Sequence, residues 1–347
     1  MKISPSHQNL TYCGRIDWSN PEAPVFIYPC SFVQMRFTGN TLKIHVYNRN
    51  VYWNNYLGYI LDGVQSVLQL EQSGESVFEI KADAPNEIHE FLLFKRQDAC
   101  HEFAFLGAEI DECEKIVSPL PKPSRRIEVY GDSVSAGEVS EAVDYVGKAD
   151  PLHNGEYSNS WYSYAWILAR KLNAQIHDIA QGGIALMDKT GWFCEPDALG
   201  MEHVWDKVHY NPLLGDATQW DFSQYIPQAV IVAIGQNDSH PFDYMAQDED
   251  GAQADTWRNH YRHFLQNLRK TYPDAHIICC TTLLWHDKAR DRAIGQAVRE
   301  LADEKLTQYL FRRNGSATPG HLRIPEAQEM ADELAAYIET LDIADWN

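Results

Sequence analysis

Three prolines stand at alternate positions, Pro119, Pro121 and Pro123, in the stretch Ser118 to Arg126. Each fixes its own φ and lacks a backbone N–H, so this stretch can join neither a helix nor the interior of a sheet. It predicts a linker at 118–126, and the hydrophobic patterning differs on its two sides. Residues 1–117 read as short strands. Val33, Met35 and Phe37 alternate with polar residues, Gly39-Asn40 supplies a turn, and Leu42, Ile44 and Val46 alternate again. Tyr59-Ile60-Leu61 runs into Asp62-Gly63, a strong short-range hairpin signal. Further strands are expected at 77–80, 87–95 and 102–106. Many short strands joined by turns predict an all-β sandwich of the jelly-roll kind.

From 127 to 347 strands alternate with helices. Ile127 to Gly131, 174–179, 229–234 and 276–281 read as strands, the third fully apolar as in a central parallel strand. Helices are expected behind an Asn159-Ser160 cap, over 252–271, over 288–306, and from Pro325 onward with Met330, Leu334, Tyr337, Ile338 and Leu341 on one face. The fold class is therefore α/β, a three-layer doubly wound parallel sheet preceded by the all-β unit.

The 29 basic and 49 acidic residues leave a formal charge of -20. A surface of that sign repels polyanions, so neither nucleic acid nor an anionic membrane is an expected partner, and a neutral ligand fits. The N-terminal residues Met1 to Gln8 contain no apolar core of a secretion signal, and with Met1 as the native start the chain is expected in the cytoplasm. The seven cysteines form no zinc spacing and no Cys-x-x-Cys pair, so reduced and mostly buried thiols are expected.

Four blocks fall where a parallel sheet brings its strand ends together. Ser133 follows the first strand in Gly131-Asp132-Ser133, Gly182-Gly183 follows the second, and Asn237 follows the third. His321 lies in Thr318-Pro-Gly-His just before the last helix. An imidazole can take the serine proton as the hydroxyl attacks a carbonyl, and backbone N–H groups with a carboxamide can hold the resulting oxyanion. Glycine at 183 leaves room for the carbonyl oxygen to approach.

In this order the blocks resemble the SGNH (GDSL-type) hydrolases over about 127–341. The opening Gly14-Arg-Ile-Asp17, the β-rich first half with Tyr59 to Gly63, and the stretch from Asn159 to Arg170 resemble carbohydrate esterase family 2. That family joins a jelly roll to an SGNH domain and removes O-acetyl groups from sugars without a metal or organic cofactor. The resemblance implies Ser133 as nucleophile, His321 as general base and acid, and Ser133, Gly183 and Asn237 as the oxyanion hole. It also implies acetylated xylo-, manno- or gluco-oligosaccharides as substrate, with a preference for primary 6-hydroxyl esters of gluco- or manno-configured sugars. The Asp usual two or three residues before the histidine is absent, for Thr318 and Pro319 stand there. The resemblance to family members with a Ser–His dyad leads us to expect a carbonyl of the 318–320 loop on His321 Nδ1.

Trp192, Trp205 and Trp53 are candidates to line a sugar cleft, since pyranose C–H faces pack on flat rings. Ser135 is expected to cap a helix, and Asp132 and Asp238 to brace loops through backbone N–H groups. His260 and His263, one helical turn apart, read as a solvated helix face, and His203 and His209 as non-ligands. Two other readings stand beside the esterase: a lipase or thioesterase on the same scaffold, and a non-catalytic carbohydrate-binding protein.

Overall fold

The computed structural model describes residues 1–346 except Glu71, 84–86 and Thr318. The N-terminal part forms two antiparallel sheets. One runs in the order Ile16–Asp17, Val25–Phe26, His101–Ile110, Thr41–Asn50, Gly74–Lys81. The other runs Ile116–Val117, Phe32–Phe37, His89–Lys95, Asn55–Leu61, Val64–Leu70. Strict alternation sends Val33, Met35 and Phe37 inward from one sheet to meet Leu42, Ile44 and Val46 from the other, with Phe26, Phe91, Phe103 and Phe105 filling the layer between. Asp62 and Gly63 both take positive φ, which a tight two-residue hairpin requires, and Leu61 pairs with Val64 across it.

The second part is a five-stranded parallel sheet in the order Ala174–Ala180, Arg125–Gly131, Ala229–Ala233, His276–Cys279, Leu306–Gln308. Side chains of its central strand separate by parity. Val230 and Val232 pack with Trp257, Phe264 and Ile294, from helices Ala252–Thr271 and Lys288–Leu301. Ala229, Ile231 and Ala233 pack with Tyr164, Leu168, Met330 and Leu334, from helices Tyr164–Lys171 and Ile324–Ile338. A sheet that is apolar on both faces requires helices on both, which gives the three layers. The strand order reverses beside Arg125–Gly131, and an open α/β sheet forms its binding crevice at such a point.

Two sequence expectations need correction here. The helix expected over 288–306 stops at Leu301, where Ala302 takes φ 49° and donates to Arg299 O. Asp303 then turns the chain through its bond from the Lys305 N–H, and Leu306–Gln308 becomes the fifth strand. Asn159 caps only the 3-10 turn Ser160–Tyr162, and the α-helix begins after a second cap, Ser163, whose hydroxyl accepts from Trp166 N.

The two parts pack over buried charge. The Arg15 guanidinium, fully buried, donates to the carbonyls of Trp205 and Lys207 and to Tyr130 OH, and lies 3.3 Å from Glu128. No helix among the described residues is long and apolar enough to cross a membrane. All seven cysteines are unpaired, and five of them are buried.

Candidate active site

The strand Arg125–Gly131 ends on a sharp turn into the short helix Ser133–Ala136. Asp132 caps that helix by accepting from Val134 N at 3.0 Å, which fixes the turn and presents Ser133 at its first position. Gly131 is required because a Cβ there would lie 2.0 Å from Ser135 Oγ. Ser135 is not the cap expected of it. Its hydroxyl is buried and shares a 2.8 Å hydrogen bond with Tyr164 OH, which anchors the helix from below.

Ser133 Oγ lies 2.8 Å from His321 Nε2, although 188 residues separate them. The other ring nitrogen departs from the sequence expectation. His321 Nδ1 lies 2.6 Å from Asp150 Oδ2, so a carboxylate orients the ring in place of the predicted backbone carbonyl. (Of the loop expected to supply that carbonyl, Thr318 lies outside the described residues.) Asp150 Oδ1 also accepts from the His321 backbone N–H at 2.9 Å and lies 2.8 Å from Arg323 Nη2. The Arg323 guanidinium is completely buried and donates in addition to His321 O, so one arginine ties the carboxylate and the histidine backbone together.

Asp150 comes from an irregular loop 17 residues after Ser133, where no periodicity marks it. The available signal was local: Asp150-Pro-Leu-His153 places a carboxylate and an imidazole three residues apart. His153 does return to the site. Its Nε2 lies 3.0 Å from Asp150 Oδ2 and its Nδ1 2.7 Å from Glu138 Oε1. Burial would raise the Asp150 carboxyl, but hydrogen bonds from His153 and His321 outweigh it and hold the group well below the usual carboxylate range. For His321, burial favours the neutral ring, but Asp150 and Glu138 prevail and raise it above its ordinary value, with His153 opposing them. Burial pushes Asp132 up to about 6, against the Val134 N–H and the nearby His321.

The donors around Ser133 sort themselves by their partners. The Gly182 N–H is taken by Asp98 Oδ2 at 2.7 Å, whereas the Gly183 N–H meets no protein acceptor among the described residues. Gly183 has φ 73°, and a Cβ on it would lie 2.8 Å from Trp192 Cβ, so glycine is needed for backbone shape as well as for approach. Asn237 Nδ2 donates to Ile184 O at 3.0 Å and lies 3.4 Å from Asp132 Oδ2. Asp238 braces the neighbouring loop by accepting from the N–H groups of Leu186 and Met187, as expected of it.

Ser133, Gly183, Asn237 and His321 share a cleft of about 570 Å³ with Trp53, Trp192, Tyr52, Asp98, Glu138, His153 and Glu195. Trp53 is 42% exposed and Trp192 55%, with one face of the Trp192 ring stacked on His240. Trp205 does not line the cleft. It packs against Phe222 and Phe264 in the core, and its carbonyl receives Arg15. The sandwich part contributes Tyr52, Trp53 and Asp98, which sequence reading left out except for Trp53. Asp98 sits in a loop whose carbonyls at 97 and 98 are both bonded by the buried Lys95 ammonium. Among the described residues, one group has metal-ligand character: single ligand atoms of Asp150, His153 and His321 lie within 4.8 Å of one another. Those atoms are already joined by hydrogen bonds. His260 lies at the surface and bonds Glu202, and His209 bridges Glu102 and Asp17.

Residues 12–121 match the carbohydrate esterase 2 N-terminal family. The chain is 29% identical over 287 residues to the cellulase/esterase CelE of Acetivibrio thermocellus, an alignment covering 81% of this chain and 32% of that protein. It thus spans about a third of that relative's length. It is 26% identical to the acetylxylan esterase/glucomannan deacetylase of Cellvibrio japonicus, over 99% of this chain and 91% of the relative. Among solved structures, a family two carbohydrate esterase from Clostridium thermocellum in complex with cellohexaose superposes with a TM-score of 0.80 at 26% identity, covering 95% of this chain and 98% of the other. A family two carbohydrate esterase from Cellvibrio japonicus superposes with a TM-score of 0.81 at 22% identity, covering 100% of this chain and 98% of the other.

Proposed function

We propose that this chain, a member of carbohydrate esterase family 2 by both sequence and fold, is a serine esterase that removes O-acetyl groups from oligosaccharides. The observation that carries the reading is the hydrogen-bonded series Ser133–His321–Asp150, whose first two members line a cleft together with two half-exposed tryptophans. A chain charged at -20 with such a cleft suits a neutral sugar ester. The carboxylates of Asp98, Glu138 and Glu195 in its lining offer acceptors for sugar hydroxyls. Xylo-, manno- and gluco-configured oligosaccharides are the proposed substrates, with Trp53 and Trp192 as platforms and Trp205 withdrawn from that role.

In this reading His321 Nε2 accepts the Ser133 proton as Oγ forms a bond to the acetyl carbonyl carbon. The carbonyl electron pair moves to oxygen, where the N–H groups of Ser133 and Gly183 and the Asn237 amide donate to it. His321, now an imidazolium stabilised by Asp150, returns the proton to the sugar oxygen as the C–O bond breaks. Water repeats the sequence on the acetyl-enzyme: His321 takes its proton, acetate leaves, and the Ser133 hydroxyl is restored. A triad led by Asp150 replaces the dyad expected from sequence. The division into a unit at 1–117, a linker at 118–126 and a catalytic unit at 127–347 belongs to the same proposal.

The test is Ser133→Ala, assayed with 4-nitrophenyl acetate and with an acetylated oligosaccharide followed by NMR. Acetate release should fall to background in both, and turnover like that of the parent would end this reading.

A further inference from the structure

We propose that His153 is a positioning residue that cancels the charge of Glu138 and steadies Asp150, so that His321 stays free to accept the Ser133 proton. The proposal rests on the acyl-transfer reading above. Both ring nitrogens of His153 face carboxylate oxygens, at 2.7 Å to Glu138 and 3.0 Å to Asp150. An ionised carboxylate only accepts, so a ring between two of them must donate twice and is an imidazolium. The hydrogen bonds it donates to Asp150 and Glu138 likewise push its pKa up to about 10, against burial.

Glu138 explains why such a cation is needed. The carboxylate is fixed close to the nucleophile, since the Glu138 backbone N–H bonds Ser133 O at 2.9 Å. Its Oε2 lies 3.9 Å from His321 Nε2, the atom that must be empty to receive a proton. An unbalanced carboxylate there would keep His321 charged and inactive as a base. The charged and titratable groups facing His321 are Asp150, Glu138, His153, Asp132 and Arg323, with Asp98 beside Glu138 across the cleft. Asp150 is already balanced by Arg323, whereas Glu138 finds its cation in His153. The His153 and His321 rings lie 5.3 Å apart edge to face, close enough for one charge to act on the other.

The experiment is the pH dependence of kcat/KM for 4-nitrophenyl acetate in the full-length chain. His153→Asn, Glu138→Gln and the double variant are compared with the parent, and His321 is titrated by imidazole NMR in each. Losing the His153 cation should move the acid limb and the His321 titration up by about one pH unit, with most of the loss below the limb and recovery above it. Glu138→Gln leaves the cation unbalanced and should move both down, while the double variant should return close to the parent. A uniform rate loss with an unmoved limb would make His153 merely structural, and a rise in KM alone would make it a substrate contact. Either result overturns the proposal, as does a double variant that shifts as far as His153→Asn. Should His153→Asn fail to fold, the downward shift of Glu138→Gln decides alone. The NMR titration does not depend on turnover, so the outcome separates from that of Ser133→Ala.

Discussion

Replacing Asp150 with Asn tests the site most sharply, because it keeps the side-chain shape and removes only the charge and one acceptor. Asp150 receives the Nδ1 proton at 2.6 Å and is only 16% exposed, so solvent screens the pair weakly. A carboxylate about 4 Å from the imidazolium charge contributes about 4 kcal/mol at an effective dielectric constant of about 20. That energy is absent from the ground state, where the ring is neutral, and present in the transition state, so it falls on kcat. It corresponds to about a thousandfold, and loss of the enforced tautomer extends the expected fall to about 1,000- to 10,000-fold. KM for 4-nitrophenyl acetate should change little. Arg323 loses its charged partner in the same variant, so thermal unfolding must be measured alongside stopped-flow acetylation rates to separate folding from chemistry. If Asp150→Asn keeps more than a tenth of the parent kcat while folded, the carboxylate is not part of the catalyst and a histidine oriented by backbone suffices.

Asn237→Ala should lower kcat about 100- to 1,000-fold with KM nearly constant if its amide, which also donates to Ile184 O, holds the oxyanion as proposed; steady-state assays with thermal unfolding alongside check this. Trp53→Ala and Trp192→Ala should raise KM for an acetylated oligosaccharide far more than for 4-nitrophenyl acetate, whereas Trp205→Phe should lower Tm and leave both KM values near the parent. His153 also predicts a stability profile. Its ring titrates higher folded (about 10) than unfolded (about 6.5), so its contribution is complete below about pH 6.5 and disappears as pH rises through about 10. The Tm gap between the parent and His153→Asn should therefore narrow across that window, and a gap that widens would reverse the assigned sign.

Sequence alone determined the architecture here, because each layer writes a periodic pattern. Period-two alternation in Val33 to Phe37 and Leu42 to Val46 fixed which faces meet in the sandwich, and the unbroken apolar run Ala229 to Ala233 required helices on both sides. Ser133, Gly183, Asn237 and His321 were legible for a related reason: each sits at a strand end or helix start, where position along the chain translates into position at the sheet edge. The acidic partner of His321 obeyed no such rule. Asp150, His153 and Glu138 lie in and beside irregular chain, and Asp98 arrives from the other sheet system. Their meeting depends on loop paths and on buried cations such as Arg323 and Lys95. Hydrophobic spacing encodes which face of an element is buried, whereas the convergence of charges exists only once the elements have packed.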